Sequence, residues 1–165
     1  DEVGCVGAKL YYSDGTIQHA GVICSIGGVA GHSHKHWPNE HPGYFSRLIL
    51  TQNLSAVTAA CLLVRKSIYE EVGGLDEENL HVAFNDVDFC LKVRAAGHRN
   101  VWTPYAKLFH YESISRGAED TPEKIARFNK EVDFMKNKWT VALEEDPYYN
   151  PNLTKEHEDF SLRNS

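Results

Sequence analysis

The sequence lacks the features that mark a membrane-spanning or exported chain. Nowhere in its 165 residues does an apolar run approach the ~20 residues that a membrane-spanning helix needs. The first residues, beginning with Asp1, also lack the charged and then apolar layout of a signal peptide. We therefore expect a cytoplasmic protein without a transmembrane segment.

Long basic stretches are missing as well. The chain has 17 Lys and Arg residues against 23 Asp and Glu residues. No basic run or arginine-rich helix is present that could follow a phosphate backbone along a groove. We therefore expect no nucleic acid partner.

Cysteines are few and widely separated. The chain contains no Cys-x-x-Cys pair, which is a common spacing for metal ligands. Each cysteine lies in an apolar segment, and thiols stay reduced in the cytoplasm. We predict reduced core residues rather than disulfides at Cys5, Cys24, Cys61 and Cys90.

Strand patterns dominate the first part of the chain. Residues 5–10 read as a buried strand, and the turn at Asp14–Gly15 favours a hairpin whose returning strand is residues 21–25. Residues 27–53 are interrupted by glycine and proline and predict a long loop. Residues 56–64 are apolar and bounded by polar residues, which predicts a buried strand.

Three helices have recognisable ends. Residues 67–72 form a short helix that a glycine pair stops. Asn85 is expected to cap a second helix that ends near Gly97, and Pro122 opens a third. Strands alternating with helices predict an α/β layer architecture.

The C-terminal third completes this organisation. Residues 101–103 and 106–111 read as strand segments around Pro104. Beyond the third helix, residues 144–165 read as an extended tail punctuated by proline. Residues 1–143 are expected to form one domain, and the opening strand without any lead-in suggests that other residues precede it in the natural protein.

Asp86 and Asp88 fall in the first turn of the second predicted helix, where the helix dipole favours negative charge. A carboxylate within hydrogen-bond reach of an attacking hydroxyl can accept its proton as a general base. Asp86 is our candidate. A helix cap or a solvated first turn explains the same spacing without any chemistry.

His110 ends an apolar strand and is followed by Ser115 and Arg116. Neutral imidazole can bind a divalent cation, and Arg can bind phosphate oxygens through two hydrogen bonds. The alternative is a structural histidine held by hydrogen bonds.

Clustered histidines in the predicted loop raise a zinc site as an alternative. Three of them alternate along the chain and would share one face of an extended segment. No cysteine lies nearby and no second ligand pair follows, so we favour a solvated polar loop, which explains these residues without any ligand. The residues concerned are His32, His34, His36 and His41.

Along nearly its whole length the chain resembles bacterial family 2 glycosyltransferases of the GT-A fold. The resemblance is carried by five segments in the family's order and by a similar tail. These segments are Val6-Gly7-Ala8-Lys9-Leu10 with Asp14 to Gly21, Val57 to Arg65, Gly73 to Glu77, Asn85-Asp86-Val87-Asp88, and His110-Tyr111-Glu112-Ser113 through Arg116.

The resemblance implies a partial GT-A fold, a nucleotide-diphospho-sugar transferase-like mixed sheet flanked by helices, with residues 1–143 as the C-terminal, acceptor-side half. It makes Asp86 the general base, while Asn85 stands where many members have Glu. His110 matches a histidine that completes coordination of Mg or Mn at the donor diphosphate. Ser115 and Arg116 match a segment that closes over that diphosphate.

Acceptor binding is the role implied for Thr58, Ala59 and Ala60, where small residues leave room for a sugar. Asp76 and Glu77 either bind acceptor hydroxyls or shape their turn. Asp86-Val87-Asp88 has the spelling of the family's metal motif but the wrong place in the order, so we reject it as that motif.

We therefore expect an inverting, metal-dependent transferase that moves a sugar from a nucleotide-sugar donor to a saccharide or lipid-linked acceptor in bacterial cell-envelope polysaccharide synthesis. The isolated chain is expected to be inactive, and the full protein to associate peripherally with the inner face of the membrane or to form a homo-oligomer. One alternative is a carbohydrate-binding module that uses Trp37, Tyr44 and Trp102 without catalysis. The other is a zinc-stabilised structural domain.

Overall fold

The computed structural model describes residues 2–111 and 121–163. Its core is a five-stranded mixed sheet built on one long central strand, β1 (Val3–Tyr11). β2 (Ile17–His19) and β6 (Leu62–Val64) pair antiparallel with β1. β7 (Arg99–Phe109) pairs parallel with β1, and β5 (Gln52–Leu54) pairs antiparallel with β7.

A separate two-stranded sheet joins β3 (Val22–Cys24) to β4 (Ala30–His32). Three helices complete the fold: α1 (Lys66–Glu71), α2 (Asn85–Ala95) and α3 (Pro122–Glu144). The fold is mixed α/β, as predicted, with a curled sheet flanked by helices that is compatible with a partial GT-A fold.

The predicted hairpin forms with a different returning strand. β2 begins directly after the Asp14–Gly15 turn, where the N–H of Tyr12 donates to the carbonyl of Thr16 at 2.9 Å. The chain then turns at Gly21, whose φ of 94° suits glycine. Residues 21–25 were therefore the wrong partner for β1, because β3 lies in the second sheet and pairs with β4.

The predicted strand at 56–64 is also wrong in extent. Thr58 caps a 3₁₀ turn, Ala59–Cys61, by accepting a hydrogen bond from the N–H of Ala60 at 3.3 Å. Only β6 at its end is a strand. The segment is buried only at residues 56–58. An apolar composition fits an irregular segment as well as a strand, because periodicity cannot separate the two in a short run.

Other boundaries differ less. Residues 27–53 are irregular but contain β4, a 3₁₀ turn at Tyr44–Ser46 and the start of β5. β7 runs unbroken through Pro104, and its register against β1 shifts between Gly7 and Lys9. Proline has no N–H to donate to a neighbouring strand. The shift in register lies opposite Pro104, where the regular hydrogen-bond pattern is interrupted in any case.

α2 begins at Asn85 rather than after it. Phe84 takes the cap position with φ of 63°, and no side chain caps the helix. α3 begins as predicted, because Thr121 accepts a hydrogen bond from the N–H of Lys124 and Pro122 follows.

The residues after α3 fold back onto the body of the protein. The buried Asp146 carboxylate accepts hydrogen bonds from the N–H of Cys24 at 2.7 Å and the hydroxyl of Ser55 at 2.8 Å. A second apolar cluster includes Tyr149 and Phe160. All four cysteines carry free thiols, and three are buried. Within the described ranges, none of the helices combines the length and apolar character needed to cross a bilayer.

Candidate active site

A pocket of about 400 Å³ opens where β2, β4, the start of α2 and the end of β7 come together. It brings Asp86 and His110, which lie on different elements, onto one surface. No lysine or arginine is among its described lining residues. These are Gln18, Val22, Ala30, His32, Thr58, Val82, Ala83, Phe84, Asp86, Val87, His110 and Phe128.

Two backbone N–H groups donate hydrogen bonds to the Asp86 carboxylate at the N-terminus of α2. Its Oδ2 accepts a hydrogen bond from the N–H of Ala59 at 3.0 Å, and its Oδ1 accepts one from the N–H of Val87 at 2.9 Å. A carboxylate oxygen can accept more than one hydrogen bond, so both oxygens retain capacity for a hydroxyl donor. The bond to Ala59 also docks the 58–61 segment against α2.

Asp88 points in the other direction. It is fully buried, and its Oδ1 accepts hydrogen bonds from Nε1 of Trp139 at 2.7 Å and pairs with Nζ of Lys138 at 2.8 Å. Lys92 lies 3.5 Å from the other oxygen. Asp88 therefore ties α2 to α3 and does not line the pocket.

His110 is paired with Gln18 from β2. Nδ1 of His110 lies 2.8 Å from Oε1 of Gln18, and Nε2 of Gln18 donates to the carbonyl of His110 at 3.2 Å. Both residues line the pocket.

Two more histidines lie close to this pair. Nδ1 of His32 lies 3.1 Å from the carbonyl oxygen of Gln18. The ring of His19 packs edge-on against that of His32 at 4.9 Å, and its Nε2 accepts a hydrogen bond from the N–H of Thr58 at 3.3 Å. Burial, and then the charges of His32 and His110, lower the pKa of His19 well below its usual range. His19 is therefore neutral at physiological pH.

One wall of the pocket is a loop that Glu131 holds. Glu131 lies on α3 and is 1% exposed. Its carboxylate accepts hydrogen bonds from the N–H groups of His81 and Val82 at 3.1 Å and of Ala83 at 2.8 Å. Val82 and Ala83 line the pocket directly before α2.

The remaining predicted site residues do not all lie in this pocket. Thr58 lines the pocket, whereas Ala59 and Ala60 are exposed beside it. Asp76 and Glu77 lie in a separate depression with Lys92. Asp76 accepts hydrogen bonds from the N–H groups of Glu78 and Asn79, so it shapes its turn. Ser115 and Arg116 fall outside the described residues.

The histidines of the predicted loop contact different groups rather than one another's ligand positions. His34 is fully buried and accepts a hydrogen bond from the N–H of Tyr44, while His36 stacks on Tyr12. His41 accepts one from the N–H of Gly43. Across residues 2–111 and 121–163, no three His, Cys, Asp or Glu residues are grouped so that they could hold a metal ion.

The three aromatic residues expected for a binding module do not share one exposed surface. Trp102 is fully buried, and its Nε1 donates to the carbonyl of Ala8 at 3.1 Å, so it cannot contact a carbohydrate. Trp37 packs edge-on between His34 and His41, and Tyr44 is stacked on another ring. Including Trp102 in such a surface was wrong, because the parallel pairing of β7 with β1 puts it in the core.

Sequence reasoning missed three residues that shape the pocket: Gln18, His32 and Glu131. Gln18 falls between the predicted turn and the predicted returning strand, and Glu131 lies inside a helix pattern, so neither position indicates a site. His32 belongs by sequence to the cluster of loop histidines. Only the sheet order and the packing of α3 bring them to Asp86 and His110.

Comparison with known proteins identifies relatives that are much longer than this chain. It is 64% identical over 160 residues to an uncharacterised protein, y4gI, of Sinorhizobium fredii (strain NBRC 101917 / NGR234), an alignment that spans 97% of this chain and 18% of that protein. It is 38% identical over 164 residues to the O-antigen biosynthesis protein RfbC of Myxococcus xanthus, spanning 98% of this chain and 12% of that protein.

A third relative matches only part of the chain. This is the N-acetylglucosaminyl-diphospho-decaprenol L-rhamnosyltransferase of Mycobacterium tuberculosis (strain ATCC 25618 / H37Rv), which is 29% identical over 91 residues, or 53% of this chain and 29% of that protein. The chain thus spans less than a fifth of the first two relatives. No family model matches it, and no solved structure matches it.

Proposed function

We propose that this chain is the acceptor-side part of a family 2 glycosyltransferase with a GT-A fold, which transfers a sugar from a nucleotide-sugar donor to a saccharide or lipid-linked acceptor with inversion. The observation that carries the proposal is the meeting of Asp86 and His110 in one pocket. The names of two relatives support it, because O-antigen biosynthesis and rhamnosyl transfer both point to a glycosyltransferase family.

The pocket's chemistry suits an acceptor hydroxyl. Its described polar lining consists of the Asp86 carboxylate, the imidazoles of His32 and His110, the amide of Gln18 and the hydroxyl of Thr58, without a lysine or arginine. Such a surface favours hydroxyl donors over phosphate oxygens.

Asp86 is the general base in this mechanism. A single displacement at the anomeric carbon inverts it, and the attacking hydroxyl must lose its proton as it bonds. The two backbone N–H donors hold the carboxylate still, so the hydroxyl that donates to it is oriented before the attack.

His110 fits the role of one ligand to a Mg or Mn ion. Metal-bound histidine commonly donates its second N–H to an oxygen acceptor, and the amide oxygen of Gln18 lies at that position. The described residues offer no complete set of ligands, so the others would come from the donor diphosphate or from other parts of the full protein. Such an ion would neutralise charge on the departing diphosphate.

The deciding experiment replaces the proposed base in the full-length protein. Asp86→Asn keeps the side-chain volume and removes the base, so sugar transfer should fall by about 10²-fold or more while donor binding persists. The matched control is Asp133→Asn on an exposed position of α3, which should transfer normally. An unchanged rate in Asp86→Asn would falsify the proposal.

A binding module without catalysis is the competing function. It predicts that the full-length protein binds acceptor saccharide and never consumes a nucleotide-sugar. Transfer measured in the wild type and lost in Asp86→Asn rules it out.

A further inference from the structure

Gln18 makes a two-point contact with His110 across the sheet. It lies in β2 and is 2% exposed. The strand order places β1 between β2 and β7, so the Gln18 side chain reaches past β1 to the end of β7. Both halves of its amide are engaged there, at 3.2 Å to the His110 carbonyl and 2.8 Å to the His110 ring.

This contact determines the position of the ring proton. The His110 carbonyl oxygen cannot donate, so the NH₂ group of Gln18 must face it. The amide oxygen then necessarily faces Nδ1 of His110. An amide oxygen only accepts, so Nδ1 carries the proton and Nε2 of the neutral ring holds the lone pair.

The same residue holds His32 in a different way. Nδ1 of His32 faces the backbone carbonyl of Gln18, which also only accepts, so His32 is protonated at Nδ1 as well. Its tautomer depends on the backbone of Gln18, whereas that of His110 depends on the side chain.

We propose that the side chain of Gln18 is a positioning residue that selects the Nδ1–H tautomer of His110 and thereby presents Nε2 as the lone-pair nitrogen at the pocket. The assignment of that nitrogen to a divalent cation rests on the proposed function. The selection of the tautomer does not.

Long-range ¹H–¹⁵N spectra of the 165-residue chain, labelled at histidine, report the proton position directly. They are recorded about two pH units above the ordinary histidine pKa. In the wild type, Nε2 of His110 should show the shift of an unprotonated nitrogen. Gln18→Leu should populate the Nε2–H form of His110, because nothing then accepts from Nδ1.

Three comparisons make the test specific. His32 should keep its tautomer in Gln18→Leu, since the backbone carbonyl remains, and this also reports that the local fold survives. Gln18→Glu loses the bond to the His110 carbonyl but should keep the His110 tautomer, because one carboxylate oxygen still accepts from Nδ1. Gln52→Leu, which removes another strand amide that bonds backbone carbonyls in the 47–50 segment, should change neither histidine.

Two results would overturn the proposal: a wild-type His110 protonated at Nε2, or an unchanged His110 tautomer in Gln18→Leu. In the full-length protein the Mn concentration that half-saturates transfer should rise about 10- to 100-fold in Gln18→Leu. If the tautomer changes while the Mn dependence does not, the positioning role stands and the metal assignment fails.

Discussion

The carboxylate of Glu131 accepts a hydrogen bond from the backbone N–H of Ala83 at 2.8 Å, although 48 positions separate them in the sequence. Glu131 also accepts from the two preceding N–H groups, so one buried side chain satisfies three consecutive donors. These hydrogen bonds attach the loop that precedes α2 to α3. They fix the start of α2 and therefore the position of Asp86 in its first turn.

Glu131→Gln should destabilise the protein, because an amide has one accepting oxygen and its NH₂ group would face a backbone donor. Leaving a buried donor unsatisfied costs about 1–3 kcal/mol. Chemical denaturation should show a reduced free energy of unfolding. Glu144→Gln, an exposed change at the end of the same helix, is the control and should be close to neutral. Equal stabilities for the two variants would contradict the fastening role.

Replacing Asp88 should lower the stability of the protein more than replacing Asp86. Asp88→Asn weakens the buried contact to Lys138 and forces an amide between donors, so it should lower the free energy of unfolding by about 1–3 kcal/mol. Asp86→Asn should cost less than Asp88→Asn. The amide keeps one accepting oxygen for the N–H groups of Ala59 and Val87, and water can reach this half-buried position to replace the lost bond. Thermal and denaturant unfolding of both variants check this, and an equal or larger loss of stability in Asp86→Asn would contradict it.

The protein should lose stability in acid through His34. Burial, followed by the charges of Arg47, His41 and Lys9, lowers the pKa of His34 from 6.5 to about 3. Between these values the unfolded chain binds a proton that the folded chain does not. Stability is therefore complete above about pH 6.5 and falls as the pH drops toward 3, by about 1.4 kcal/mol per pH unit for one proton.

Denaturant unfolding across this pH range measures the slope. His34→Gln removes the titrating group, and its amide oxygen can still accept from the N–H of Tyr44, so the acid slope should decrease by about one proton. His157→Gln, at an exposed position, should retain the wild-type slope. A His34→Gln slope identical to the wild type would show that His34 does not contribute.

Gly21 should be far less tolerant of alanine than Gly15. Both have positive φ, 94° and 83°, so both carry a similar backbone penalty. A Cβ at Gly21 would lie 1.9 Å from Cδ1 of Leu54, whereas a Cβ at Gly15 has nothing within 4 Å. Gly15→Ala should cost about 1 kcal/mol, and Gly21→Ala clearly more, as compared by their melting temperatures. Similar melting temperatures would mean that the chain relaxes around the added methyl group.

Local patterns were enough for several elements. Pro122 marks the start of α3, and the buried strand predicted at residues 5–10 lies within β1. Asp86 and Asp88 were correctly placed in the first turn of α2. These features depend on neighbours within one helical turn or one pleat, so a linear sequence contains them.

Contacts between distant parts of the chain were decided only by the tertiary structure. Asp86 and Asp88 have the same local signature, yet one lines the pocket and the other is buried against α3. Gln18 meets His110 across 92 positions because β2 and β7 lie on either side of β1. The sequence by itself determined where acids, histidines and helix ends occur. Which of them meet was decided by strand order and helix packing, since the energy of those contacts appears only when the whole core forms.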